Sequence, residues 1–80
     1  MTTAEAAVTV TVDAKGLSCP MPIVKTAQAV RSLPSGALIE VLATDPGSLK
    51  DFAAWSRSTG NELVSQSVDG PVYRFLIRRK

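Results

Sequence analysis

Hydrophobic and polar positions alternate strictly through the segment "VTVTVD", with Val8, Val10 and Val12 on one side and Thr9 and Thr11 on the other. That period of two predicts a half-buried strand. From Pro20 to Ser32 the period changes: Ile23, Ala27 and Val30 recur at helical spacing, and Val24 widens the stripe. Lys25, Gln28 and Arg31 fall on the opposite side, so this segment is an amphipathic helix that "LPSG" ends. "ALIEVLA" is nearly continuous in apolar residues and predicts a central, covered strand. In "TDPGS" a second helix begins, with Asp45 or Thr44 as its candidate cap and Pro46 in its first turn. Leu49, Phe52, Ala53 and Ser56 mark its inner face, Trp55 its edge, and Gly60-Asn61 its left-handed exit. "ELVSQSV" and "VYRFLIR" are two further strands joined at Asp69-Gly70, a hairpin signal that Pro71 is expected to lengthen.

The predicted order is therefore β-α-β-α-β-β. A strand, helix and strand in succession imply a parallel pair with a right-handed crossover, whereas the last hairpin is antiparallel. The expected fold class is α/β (α+β), a two-layer sandwich with a four-stranded mixed sheet covered on one face by two helices. In the last strand Tyr73, Phe75 and Ile77 should face the helices, and Arg74 and Arg78 solvent. Residues 1–7 are small and polar and read as a frayed lead, leaving residues 8–80 as a single domain.

Composition narrows the function classes more than it changes this fold. The chain of 80 residues is 45% hydrophobic and 20% charged, values of an ordinary globular domain. Its net charge of +2 comes in part from Arg78-Arg79-Lys80, read here as a solvated tail. No aromatic residues interleave with those basic ones, so direct nucleic-acid binding is not expected. A single cysteine cannot form an internal disulfide, no apolar run approaches a membrane span, and the N-terminal segment has no basic start. These features together predict a cytoplasmic protein with no membrane contact. No histidine is present, which argues against a self-contained metal site and removes the usual base of a cysteine hydrolase.

The single thiol lies in "GLSCPMPIV", where Gly16 permits a turn and Cys19 precedes Pro20, Met21 and Pro22. With Cys19 as the helix N-cap, Pro20 and Pro22 occupy the first and third helical positions, where a missing N–H forfeits no intrahelical bond. Pro20 also biases Cys19 toward the extended conformation of a cap. On this reading the Met21 amide is the local donor left for the sulfur, and the helix dipole stabilises a thiolate and lowers its pKa. Met21 and Ile23 would lie beside the sulfur, with Lys15 and Lys25 near it. Such a thiol could be a nucleophile, a redox switch or a carrier. A switch ordinarily has a resolving cysteine and a hydrolase a base, whereas a carrier needs neither. A nucleic-acid-binding or regulatory module, and a redox sensor dimerising through Cys19, are the competing classes.

These residues resemble the TusA/SirA-like sulfur-carrier family, small proteins with a Cys-Pro-x-Pro motif opening the first helix. The motif here is Cys19-Pro20-Met21-Pro22, preceded by Asp13 and Gly16-Leu17. Thr44-Asp45-Pro46 opens the second helix, Trp55 and Gly60 mark its end, and the likeness runs from Val8 to about Arg79. The resemblance implies that Cys19 is the acceptor of sulfane sulfur, held as a persulfide, with Gly16, Pro20, Met21 and Pro22 supporting it. It implies a cysteine desulfurase or rhodanese-like donor and a downstream acceptor protein, serving tRNA thiolation, molybdenum-cofactor maturation or sulfur oxidation. It also implies a covalent sulfur-transfer carrier rather than a stand-alone enzyme, with no cofactor.

Overall fold

A computed structural model describes residues 8–80, so the expectation for residues 1–7 lies outside the described residues. The elements follow the predicted order: β1 (Val8–Ala14), α1 (Met21–Arg31), β2 (Leu38–Ala43), α2 (Ser48–Thr59), β3 (Glu62–Asp69) and β4 (Val72–Arg78). They form one four-stranded sheet in the order β1-β2-β4-β3. β1 pairs parallel with β2, and β4 pairs antiparallel with both β2 and β3. The helices cover one face, so the architecture is the expected α+β two-layer sandwich.

Val12, Val30, Ile39, Val41, Ala43, Phe52, Phe75 and Ile77 form the core between helices and sheet. Phe52 on α2 lies against Phe75 on β4, with ring centroids 4.6 Å apart, and meets Trp55 edge-on at 6.1 Å. β4 presents Tyr73, Phe75 and Ile77 inward and leaves Arg74 and Arg78 exposed, as its alternation predicts. β3 is an edge strand, and only Leu63 along it is even partly buried.

Three local expectations are corrected. The buried stripe of α1 is Pro22, Thr26 and Val30, while Val24 is exposed. Burial of Thr26 is possible because its hydroxyl donates to the carbonyl of Pro22, 2.9 Å away, which satisfies the polar atom inside the helix. Pro71 does not lengthen the hairpin: Asp69 pairs directly with Val72, and Gly70 takes φ 60°. A positive-φ glycine first and a proline second suit a two-residue turn of the II′ kind. The basic tail, finally, is not a solvated appendage. The Arg79 amide donates to the Ala37 carbonyl at 2.8 Å, and its carbonyl accepts from the Gly36 amide at 2.9 Å. The Arg79 guanidinium caps the end of α1 through the Val30 carbonyl, and the Lys80 amide donates to the Asn61 side chain beyond α2. A cation at a helix C-terminus is favoured by the dipole. Arg79→Ala should therefore lower stability by about 1–2 kcal/mol, read as a reduced Tm in a circular-dichroism melt. A solvated tail would leave the melt unchanged.

The uncovered sheet face carries its own polar link. Glu40 accepts from Thr11 at 2.9 Å and pairs with Arg74. The Thr11 hydrogen bond and the neighbouring guanidinium hold the Glu40 carboxyl below its ordinary pKa, against the opposing effect of burial. A carboxylate whose folded pKa is depressed contributes stability above its unfolded pKa and loses it as pH falls through the folded value. Glu40→Gln should thus be less stable than wild type at neutral pH. The difference should shrink on acidification through the carboxylate range, as measured by denaturant titrations at several pH values.

Candidate functional site

The parallel β1–β2 pair brings the two βα loops together. Ala14 and Ala43, the last residues of these strands, are partners in the register, so residues 15–20 and 44–47 leave the sheet at the same edge. Side chains of the second loop then tie down the backbone of the first. Thr44 Oγ1 accepts from the Gly16 amide at 2.9 Å, and Asp45 Oδ2 accepts from the Cys19 amide at 2.7 Å. Gly16 has φ 82°, a left-handed conformation that a side chain would strain.

Cys19 is exposed and unpaired, and its surroundings differ from the expected ones in two ways. First, it is not the helix cap. Pro20 occupies the N-cap position and its carbonyl accepts the first helical bond, from Val24 at 3.1 Å. The Cys19–Pro20 peptide is cis. Pro22 moves to the second helical position, where its missing N–H still forfeits no bond. The Met21 amide donates to the Ser18 carbonyl at 2.8 Å, not to the sulfur.

Second, the thiol points to a carboxylate. Cys19 Sγ donates to Oδ2 of Asp51, on the first turn of α2, at 2.7 Å. That hydrogen bond stabilises the neutral thiol, and partial desolvation and the negative charges of Asp51 and Asp45 act in the same direction. The thiol pKa is therefore raised rather than lowered. The full negative charge of a carboxylate in contact with sulfur outweighs the half charge of a helix end.

Asp45 is also reassigned. Gly47 stands at the N-cap of α2, and Asp45 Oδ1 accepts only from the Gly47 amide, at 3.3 Å. One carboxylate oxygen thus bends its own loop while the other anchors Cys19. Lys15 and Lys25 engage Asp13, and the charged groups acting on the sulfur are the carboxylates of Asp51 and Asp45. Lys15 pairs loosely with Asp13 at 3.9 Å, and Lys25 donates to the Asp13 carbonyl at 2.8 Å. Met21, two residues beyond Cys19, is 47% exposed and apolar, whereas Ile23 packs on the core.

Asp51 is a site residue that the sequence pattern alone does not single out. Its signal was an acidic residue in the first turn of the second helix, but only the parallel register of β1 and β2 shows that this turn abuts the thiol loop.

Fold and site together define a small α+β protein whose single thiol stands at the surface, on the joint of two βα loops, within a Cys-Pro-x-Pro helix opening. The chain belongs to the sulfurtransferase TusA family, whose family model matches residues 10–79. YrkI of Bacillus subtilis is 49% identical over 67 residues, covering 84% of this chain and 89% of the relative. The sulfur carrier protein TusA of Allochromatium vinosum is 45% identical, covering 84% of this chain and 88% of its own. A SirA-like protein of Desulfitobacterium hafniense has the same fold, with TM-score 0.76 over 86% of this chain and 95% of that one, at 24% identity. Family membership and these relatives support a sulfur-carrier function. Among the described residues no helix is long and apolar enough to cross a membrane.

Proposed function

We propose that this protein accepts sulfane sulfur on Cys19 as a persulfide and relays it to a thiol of a partner protein. The observation that carries this reading is the placement of the only cysteine. It is exposed, its amide is anchored by Asp45, and its sulfur is held by Asp51 at a surface joint that a second protein can reach. A relay needs an accessible sulfur of fixed position, because donor and acceptor each bring a sulfur. A cysteine desulfurase or a rhodanese-like protein is the donor, and a downstream carrier or transferase the acceptor. The exposed Met21 supplies apolar contact for both. The protein acts as a cytoplasmic carrier without a cofactor of its own, and an unpaired cysteine suits that reducing compartment.

Incubation with a cysteine desulfurase and cysteine, followed by peptide mass spectrometry, tests the proposal. The peptide containing Cys19 should gain the mass of one sulfur atom and lose it on treatment with a thiol. No gain, or a gain on any other peptide, would overturn the assignment.

A further inference from the structure

The two carboxylates at Cys19 have separable tasks. Asp45 acts on the backbone, fixing where residue 19 stands, while Asp51 acts on the reacting atom itself. Asp51 is only partly exposed and is carried by a helix that Phe52, the next residue, locks into the core. Its carboxylate is therefore held in place at the sulfur rather than swinging freely in solvent. We infer that Asp51 is the proton acceptor of the carrier, keeping Cys19 as a neutral thiol at rest and taking its proton as the new sulfur–sulfur bond forms.

The inference rests on the sulfur-carrier reading, and the step balances without an oxidant. In the resting state Cys19 Sγ–H donates to Asp51 Oδ2. As the sulfur attacks the outer atom of a donor persulfide, R–S–SH, the proton passes to the carboxylate. The Cys19 S–S bond forms, and the donor's own S–S bond breaks with its electron pair on the inner sulfur, which leaves as the thiolate R–S⁻. The protonated Asp51 returns its proton to the departing thiolate, so that Cys19–SH and R–S–SH become Cys19–S–SH and R–SH. Delivery runs the same path backward with an acceptor thiol in place of R–SH. Held protonated between encounters, the sulfur is a poor nucleophile toward stray electrophiles, since the thiolate is the reactive form. The raised thiol pKa agrees with this, and the charged groups that act on the sulfur are the carboxylates of Asp51 from α2 and Asp45 from the loop before it.

Asp51→Asn and Asp51→Glu, with circular dichroism to confirm folding, test the role through two measurements. In the pH profile of Cys19 alkylation by iodoacetamide, the midpoint should fall in Asp51→Asn. Its rate at neutral pH should rise by roughly threefold or more, because more thiolate is present. Asp51→Glu should stay near wild type. Uptake of sulfur from glutathione persulfide, divided by the thiolate fraction from that profile, should drop about tenfold or more in Asp51→Asn and recover in part in Asp51→Glu. An alkylation profile that does not move, or normalised uptake that does not fall, would overturn the inference. A wild type that takes up no sulfur at all would overturn the carrier reading and the transfer step with it. The alkylation arm separates that failure, because it reads the hold of Asp51 on the thiol alone.

Discussion

Phe52→Ala is expected to cost about 3–5 kcal/mol, the usual range for deleting a buried aromatic side chain. Phe52 is fully buried, stacks on Phe75 and meets Trp55 edge-on, so it is the buried centre of the contact between α2 and the sheet, with Leu49 and Trp55 packed beside it. Few aromatic residues are available to compensate, the whole set being Phe52, Trp55, Tyr73 and Phe75. A chain of 80 residues has a total stability of roughly 4–12 kcal/mol at 0.05–0.15 kcal/mol per residue. The loss is therefore a large share of the whole. Alanine is the best helix former, so none of the change can be assigned to helix propensity. Urea titration followed by Trp55 fluorescence should show the midpoint falling sharply, with Tm lower by about 15 °C or more. A shift of a few degrees would mean that α2 is held to the sheet by something other than this ring. The same variant should weaken the Cys19 site, because Asp51 precedes Phe52 on the helix.

Much of the fold is legible in the chain because each element is encoded locally. The alternation of β1 and β4, the apolar run of β2 and the left-handed exit at Gly60 are properties of short segments, and each appears where its pattern lies. Helix rotation is harder to read. The spacing of Ile23, Ala27 and Val30 predicts the inner face of α1; Val30 is buried there and Ile23 packs on the core, but the rest of the buried stripe is turned toward Pro22 and Thr26. Hydropathy counts a threonine as polar, and only the bond from Thr26 to the Pro22 carbonyl shows how it is buried without penalty. The tail misled for a similar reason. Three basic residues in sequence look solvated, but their backbone continues the strand pairing into residues 36 and 37 and sets two of them at helix ends.

The site divides in the same way. That the thiol is exposed and opens a helix is a local property, and the Cys-Pro-x-Pro spacing carries it. Its electrostatics are not local. The nearest carboxylates are 26 and 32 residues away along the chain, brought in by the parallel pairing of β1 with β2. Reasoning from the helix dipole alone therefore gives the wrong sign for the thiol pKa. A dipole effect is worth a fraction of a kcal/mol to about 1 kcal/mol at an exposed helix end and falls off within a turn. A carboxylate hydrogen-bonded to the sulfur acts at contact distance, and it decides the sign.

Cys19→Ser should abolish sulfur uptake while leaving the fold almost untouched. The serine hydroxyl can donate to Asp51 as the thiol does, and the bond from residue 19 to Asp45 is made by the backbone amide, which the substitution keeps. The side chain is exposed, so no core volume is lost. Tm should stay within about 4 °C of wild type, since surface substitutions usually change stability by no more than about 0.5 kcal/mol. Chemistry, by contrast, is lost outright. Oxygen at this position cannot form the sulfur–sulfur bond that thiol exchange requires, and no second cysteine exists to take over. Mass spectrometry after incubation with a persulfide donor should show the wild type gaining sulfur and the variant gaining none, at matched folded concentration. A variant that melts normally but still loads would move the acceptor away from Cys19. A variant that neither loads nor folds would instead show that the thiol is part of the structure, contrary to its position on an exposed loop held from behind by Asp45.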